Sequence, residues 1–365
     1  VNLELTEEQR ALRDTVRRFL AEKASIATHV RPLLDDPIGT TDEVWHGLAA
    51  LGATGVLIPE QFGGSGMSMV EAGVVAEELG AALYPGPWLS TAVAVPRALT
   101  RAGVADDALW SGIADGTVVA TVAPLVGPRP RAEDTGAGAT LRGELTAVPD
   151  AAAADVLLVF ADGAGTSALY AVEGSASGVT ATPRSHVDPT RKLADVGLAD
   201  AGARRLGPVT AEALSALLDD VLIASAADAL GAATAVLNLA VEYAKVRRQF
   251  DAPIGSFQAV QHLCVDMYET VEFARSGVIH GLWAADSAAA AERHRAALRA
   301  KAFAARLATV GDAAIQVFGG IGFTWEHDAH LYLKRLLGWS ASLGGSDRYL
   351  EAVGRSLTDE LGEGN

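Results

Sequence analysis

The chain reads as an α+β protein with three parts: an N-terminal helical domain over 1–116, a small middle β-barrel-like domain over 117–208, and a C-terminal antiparallel four-helix bundle over 209–365. Three observations carry this order. Apolar residues recur at helical spacing in the first part; short apolar runs bounded by Gly, Pro and Asp fill 117–206; and long helical periodicity returns from Thr210 onward. With 365 residues, 50% of them hydrophobic, the chain can bury a large core divided among two or three domains.

Residues 6–23 begin with Thr6 and Gln9 at the spacing at which each side chain satisfies the other's free backbone N–H, so a surface helix opens the fold. Helices are expected next at 41–51 and 69–82. Between them, Leu57-Ile-Pro-Glu-Gln-Phe-Gly-Gly-Ser-Gly66 stops one helix before the next. A glycine-rich loop ahead of a helix can hold phosphate, but this one lacks a Lys-Ser/Thr pair and reads first as a turn. Tyr84-Pro-Gly-Pro-Trp-Leu89 breaks the chain again, and 90–104 and 106–114 read as short helices. Six apolar runs then predict strands within 117–124, 138–148, 154–162, 167–173, 178–185 and 191–198. Helices over 210–248, 256–287, 288–316 and 325–338 would make the bundle.

The formal charge of −16 disfavours nucleic acid, because the chain cannot neutralise a row of phosphates. Cys264 is the single cysteine, which excludes a disulfide framework and a thiolate metal site and suits a reducing cytosol. No secretory pattern is read before Leu3-Glu-Leu-Thr-Glu, so a cytoplasmic protein is expected. The apolar span from Val221 to Val241 contains Asp228 and Asn238 among many small residues, and is expected to be a buried helix rather than a membrane span. His327, Asp328 and His330 lack a clear third ligand, so no metal is expected. A nucleophilic serine has no Gly-x-Ser-x-Gly elbow here.

The stretch from Tyr243 to His262 sets a fixed cation, an aromatic ring and amide side chains at one helix boundary, as a diphosphate-bearing cofactor would need. Four segments carry a wider resemblance: Ile58-Pro-Glu-Gln-Phe-Gly-Gly-Ser-Gly66 leading to Ala76-Glu-Glu-Leu-Gly80; Arg247-Arg-Gln-Phe250 leading to Pro253-Ile-Gly-Ser-Phe-Gln258; Gln316-Val-Phe-Gly-Gly-Ile-Gly322; and Thr324-Trp-Glu-His327. In this order and at these separations, over nearly the whole chain, the sequence resembles the flavin-dependent acyl-CoA dehydrogenases. The Tyr84-Pro-Gly-Pro-Trp88 turn and Asp188-Pro-Thr-Arg-Lys-Leu193 further resemble an actinobacterial branch acting on bulky thioesters, including steroid side-chain CoA esters, often as two unlike subunits.

The resemblance implies FAD, an acyl-CoA substrate, an electron-transfer flavoprotein or similar acceptor, and a homo- or hetero-oligomer (dimer or tetramer) with FAD at subunit interfaces. It assigns Arg247 to the cofactor pyrophosphate, Phe250 to the region of the adenine, Gln258 to a hydrogen bond at that end, and Gln316, Gly319 and Gly320 to the ADP part approached from a partner subunit. On the residues alone, Arg247 could equally be a solvated arginine, Phe250 a core residue, and the two glycines a helix cap. Relatives carry a Thr-Glu-Pro element near flavin and substrate; here Thr121-Val-Ala-Pro124 keeps the threonine and lacks the acid.

Desaturation between Cα and Cβ needs a base for the α-proton and an acceptor for the hydride, which FAD supplies. Relatives place the base, a glutamate, in one of two positions. Here the C-terminal position falls on Leu343 or Gly344, and the helical one on Val221; neither can take a proton. Asp228, about two turns beyond Val221 on the same helical face, is the best acid available, with a structural ion pair as its other use. Asp347 is a second candidate. The leading expectation is an FAD-dependent acyl-CoA dehydrogenase with degenerate glutamate positions; the alternatives are a non-catalytic partner subunit of a heteromeric enzyme and a flavin oxidase of nitroalkanes or amines.

Overall fold

The computed structural model describes residues 4–134, 138–163 and 165–363. Helix α1 (Glu7–Lys23) opens on the expected reciprocal cap: Gln9 N–H donates to Thr6 Oγ1 at 3.2 Å and Thr6 N–H donates to Gln9 Oε1 at 2.9 Å. A π-helical turn over Ile26–Val30 follows, which no spacing in the sequence signals. Helix α2 (Asp42–Ala50) is capped by Thr41, and α3 (Met69–Ala81) lies beyond the glycine-rich turn. The helix expected over 90–104 begins as a π-helical turn (Leu89–Ala94) and continues as α4 (Val95–Ala102). Asp106 caps α5 (Asp107–Ala114) by accepting from Leu109 N–H at 3.2 Å.

The strands are β1 (Ala120–Ala123), β2 (Arg131–Asp134), β3 (Ala139–Pro149), β4 (Val156–Gly163), β5 (Thr166–Glu173), β6 (Val179–Pro183) and β7 (Leu193–Pro208). They close a ring. Strand β4 pairs with β5, β5 with β7, β7 with β3, β3 with β2, and β2 returns to β4; β1 joins β4 in parallel and β6 joins β7. Closure depends on the length of β7, whose residues Leu193 to Ala203 pair with β3 and whose last residues, Arg204 to Pro208, pair with β5. On β4, Leu157, Val159 and Ala161 fill the barrel interior, while Leu158 and Phe160 pack against Leu99, Trp110 and Ile113. Burial on both faces is why this strand reads as an uninterrupted apolar run.

The C-terminal part differs from the expected four helices. It holds α6 (Ala211–Val246), a two-stranded hairpin of β8 (Arg248–Gln249) and β9 (Ala252–Pro253), then α7 (Gln258–Ser287), α8 (Ala290–Ala304), α9 (Ala308–Phe318), α10 (Ala329–Ala341) and α11 (Ser346–Glu363). The run expected over 288–316 is broken by a 3-10 turn at Ala305–Leu307. Six helices among the described residues therefore replace four.

The class of structure changes between Ala114 and Ala120 and again between Pro208 and Ala211, yet the chain forms two compact units: Val1–Ile26, Gly73–Tyr84 and Leu222–Asn365 in one, Ala27–Ala72 and Pro85–Val221 in the other. In the first unit, N-terminal segments are bound to the C-terminal helices. The reason is a crossing of α3 over α6 at glycine. A Cβ on Gly80 would lie 1.9 Å from the Asp228 carbonyl oxygen, and one on Gly231 would lie 1.8 Å from that of Glu77, so only hydrogen fits at both contacts. Arg275 ties the same crossing by donating to Glu77 at 2.7 Å and to Thr234 at 3.1 Å. The most apolar window of α6 is 78% buried, as in a core helix.

Candidate functional site

Helix α6 ends at the predicted cation. Arg247 N–H donates to Tyr243 at 2.9 Å, its carbonyl accepts from Ile254 at 2.8 Å, and its guanidinium is exposed with no hydrogen bond or ion pair to a described residue. The hairpin that follows turns at Phe250 and Asp251, with φ of 52° and 62°. A tight turn with both central residues left-handed is normally built from Asn and Gly, so an aromatic residue there costs backbone strain. The ring of Phe250 is 89% exposed and lies edge-to-face with that of Phe257, at 6.2 Å between centroids. Gln258, also exposed, is the first residue of α7.

The second predicted segment comes to the same place. Tyr243, one turn before Arg247, packs its ring 5.1 Å from that of Phe318, the last residue of α9. Gln316 is exposed beside it, and Gly319 (φ 64°) and Gly320 follow on the surface. A Cβ on Gly320 would meet nothing in the chain, so internal packing does not require glycine there. His327 sets its ring, tilted, 4.2 Å from that of Phe318 and accepts from Ala329 N–H.

The acids lie elsewhere. Asp228 is buried, and Arg335 Nη1 donates to both of its oxygens at 3.0 and 3.2 Å; the other end of the same guanidinium donates to the Tyr84 carbonyl at 3.0 Å. Asp347 is exposed in the first turn of α11. Val221 is half-buried, and Leu343 and Gly344 form a turn with φ of 55° and 104°. Asp220, next to Val221, is fully buried and held by Arg97 at 2.8 Å and Arg101 at 2.9 Å. Thr121 is buried in β1, where its hydroxyl donates to the Pro149 carbonyl at 2.7 Å; an acceptor lone pair is what it has left to offer. Burial pushes the Cys264 thiol up, away from the reactive thiolate.

Sequence spacing missed Arg335 and Lys301. Each partners a group distant in the chain, and each stands among other cations in sequence, Arg335 beside Lys334 and Lys301 two residues after Arg299, so nothing local marks it as the buried one. Lys301 is fully buried and donates to the Trp339 carbonyl at 2.6 Å.

Residues 6–106 match the family model described as acyl-CoA dehydrogenase, N-terminal domain, and residues 213–358 match the one described as acyl-CoA dehydrogenase, C-terminal domain. The acyl-CoA dehydrogenase FadE34 of Mycobacterium tuberculosis is 38% identical over 96% of this chain, which spans only 48% of that protein's length. The acyl-CoA dehydrogenase IpdE2 of the same organism is 34% identical over 98% of both chains. Among solved structures, a variant of the Tcur3481–Tcur3483 steroid ACAD superposes with a TM-score of 0.88 and 29% identity, covering 98% of this chain and 99% of that one.

Proposed function

From the premise that the chain belongs to the acyl-CoA dehydrogenase family, oxidoreductases acting on CH–CH bonds, we propose that it is an FAD-binding subunit of an enzyme that desaturates a bulky, steroid-derived acyl-CoA thioester. The observation that carries this reading is the convergence of the ends of α6 and α9: an exposed guanidinium without a partner among the described residues, an exposed ring on a strained turn, and a surface glycine open to close approach. These are groups left for something outside the chain. Arg247 would bind the pyrophosphate with planar, permanently charged donors. Phe250 would lie against the adenine, Gln258 would hydrogen-bond near it, and Gln316, Gly319 and Gly320 would meet the ADP part across a subunit boundary. Thr121 would serve the flavin as an acceptor. FAD, when bound, supplies the acceptor for the hydride leaving Cβ, and an electron-transfer flavoprotein or similar carrier then removes the electrons. The steroid character rests on the similarity to the steroid ACAD and on the turn and Asp188–Leu193 motifs. A cytoplasmic oligomer is the setting.

A second reading is favoured by one observation. Asp228 is occupied by Arg335, and Leu343, Gly344 and Val221 cannot accept a proton, which leaves the exposed Asp347 as the other candidate base. In that reading an unlike partner subunit supplies the base, and this chain shapes the cofactor site without taking the α-proton. The test is to purify the chain alone and with candidate partner subunits, to record flavin absorbance, and to follow dye reduction by steroid side-chain CoA esters. Flavin binding with activity in the chain alone supports a self-sufficient enzyme. Activity only with a partner, unchanged by Asp228→Asn and Asp347→Asn, selects the second reading. No flavin bound in any combination overturns both.

A further inference from the structure

Lys301, on α8, is 0% exposed and forms no ion pair with a described residue. Its Nζ donates to the carbonyl of Trp339, near the end of α10, at 2.6 Å, and lies 3.6 Å from the centroid of the Trp339 indole ring. The same carbonyl accepts from Ser342 Oγ at 3.0 Å and from Ser342 N–H at 3.2 Å. The ring of Tyr349, whose hydroxyl donates to the Leu343 carbonyl at 2.7 Å, has its centroid 5.9 Å from the amine. The first two residues of the turn Ser342–Gly345 are thus fastened, Ser342 to the Trp339 carbonyl and Leu343 to the Tyr349 hydroxyl, and the rings of both Trp339 and Tyr349 lie within 5.9 Å of one buried amine. The turn needs fastening, because Leu343 is left-handed (φ 55°), a conformation that costs a branched side chain energy and persists only where its surroundings impose it.

We propose that Lys301 is a proton-operated latch: as an ammonium it holds the end of α10 and the turn Ser342–Gly345 in place, and as an amine it slackens them. The charged form donates the stronger hydrogen bond to the Trp339 carbonyl and alone is attracted to the indole face. The amine keeps a weaker hydrogen bond and loses the attraction to the ring. The charges around it do not pin the ammonium. Helix α11 presents Tyr349 and, against that ring, Arg348. On α10, Arg335 is engaged by Asp228 and Lys334 by Trp325. Arg295 and Arg299 of α8 and His280 of α7 all turn to Glu292. Burial, with no carboxylate to offset it, pushes the Lys301 ammonium down to about 7, so the latch changes state near neutral pH.

The linkage has a definite sign. The folded value lies below the unfolded one of 10.5, so the unfolded chain binds more protons between about 7 and 10.5, and global stability from this group rises with pH across that window. The local turn loosens over the same range. Opposite trends in global stability and local order separate a latch from a merely buried lysine. The latch does not depend on the chain binding FAD, although the turn includes the Leu343 and Gly344 positions at which a base is missing.

The test uses the full chain. Carbon-13-labelled lysine, with the Lys301 resonance assigned by its loss in Lys301→Met, gives the titration midpoint. Hydrogen exchange of the peptide spanning the turn, corrected for intrinsic rates, gives its opening at about pH 6 and about pH 9. The expected result is a midpoint near neutrality, with opening several-fold more frequent at the higher pH. Lys301→Met should show frequent opening at both pH values while melting at a higher temperature than wild type at about pH 6. If the variant does not fold, the wild-type titration and exchange decide alone, with the lysine resonances followed against turn-peptide exchange. A Lys301 that titrates with the exposed lysines, or turn opening that does not follow its titration, overturns the latch.

Discussion

Two places along α6, its crossing with α3 and its C-terminal end, meet segments by which the chain resembles its family, and they are built on opposite terms. In the middle of the helix, Gly231 and the facing Gly80 are glycine because a neighbouring backbone occupies the space a Cβ would need. There Asp228 and Arg335 are buried as a pair. At the end of α6, Arg247 has no side-chain partner among the described residues, and Gly320, just past the end of α9, faces open space. The same residue types therefore satisfy an internal requirement at one site and leave an unmet one at the other. A charge or a glycine that the fold does not explain is the better pointer to a ligand.

Substitutions should separate the two places by what they disturb. Arg335→Met leaves the Asp228 carboxylate buried without its cation and is expected to cost about 3–5 kcal/mol in urea or thermal unfolding. Replacing both residues with leucine should recover much of that loss. Gly80→Ala or Gly231→Ala must push two helix backbones apart and should cost about 3 kcal/mol. Equal stability in either alanine variant would refute the crossing as described. At the helix end the signs change. Phe250→Gly relieves a left-handed aromatic residue and should stabilise the chain by about 1 kcal/mol while weakening FAD retention. Arg247→Met and Gly320→Ala should move unfolding by less than about 0.5 kcal/mol. Arg247→Met should nevertheless weaken FAD binding about 10- to 100-fold, as expected for a lost charge-assisted contact, when measured by flavin fluorescence. Unchanged flavin affinity in that variant would remove Arg247 from the site.

What the sequence made legible was local. The cap of α1 is written in Thr6 and Gln9, and β4 in an apolar run, because the partners are neighbours or the burial is two-sided. Strand β2 was missed since Arg131-Ala-Glu-Asp134 has neither length nor an apolar face, and β7 was read short because Ala201-Gly-Ala-Arg-Arg-Leu-Gly-Pro208 looks like a turn. Helix α11 was missed because its surface is largely polar. At the candidate site, Arg247, Phe250 and Gln258 were legible as a set because they are close in sequence. The contact of Tyr243 with Phe318, which brings the end of α9 to that of α6, was not, since it joins two helix ends far apart in the chain. Asp228 was found as an acid in an apolar helix, but its pairing with Arg335 depends on how α6 and α10 pack.

Strand β7 also sets an order in time. It pairs with β3, β5 and β6, and the ring closes only through its last residues. A chain emerging from the ribosome therefore carries an incomplete barrel, with the apolar sides of β3, β4 and β5 lacking their final partner, until Pro208 has been made. Synthesis exposes this unit longest just before it can fold, so slowing translation ahead of β7 should raise the demand for chaperones more than slowing it anywhere after.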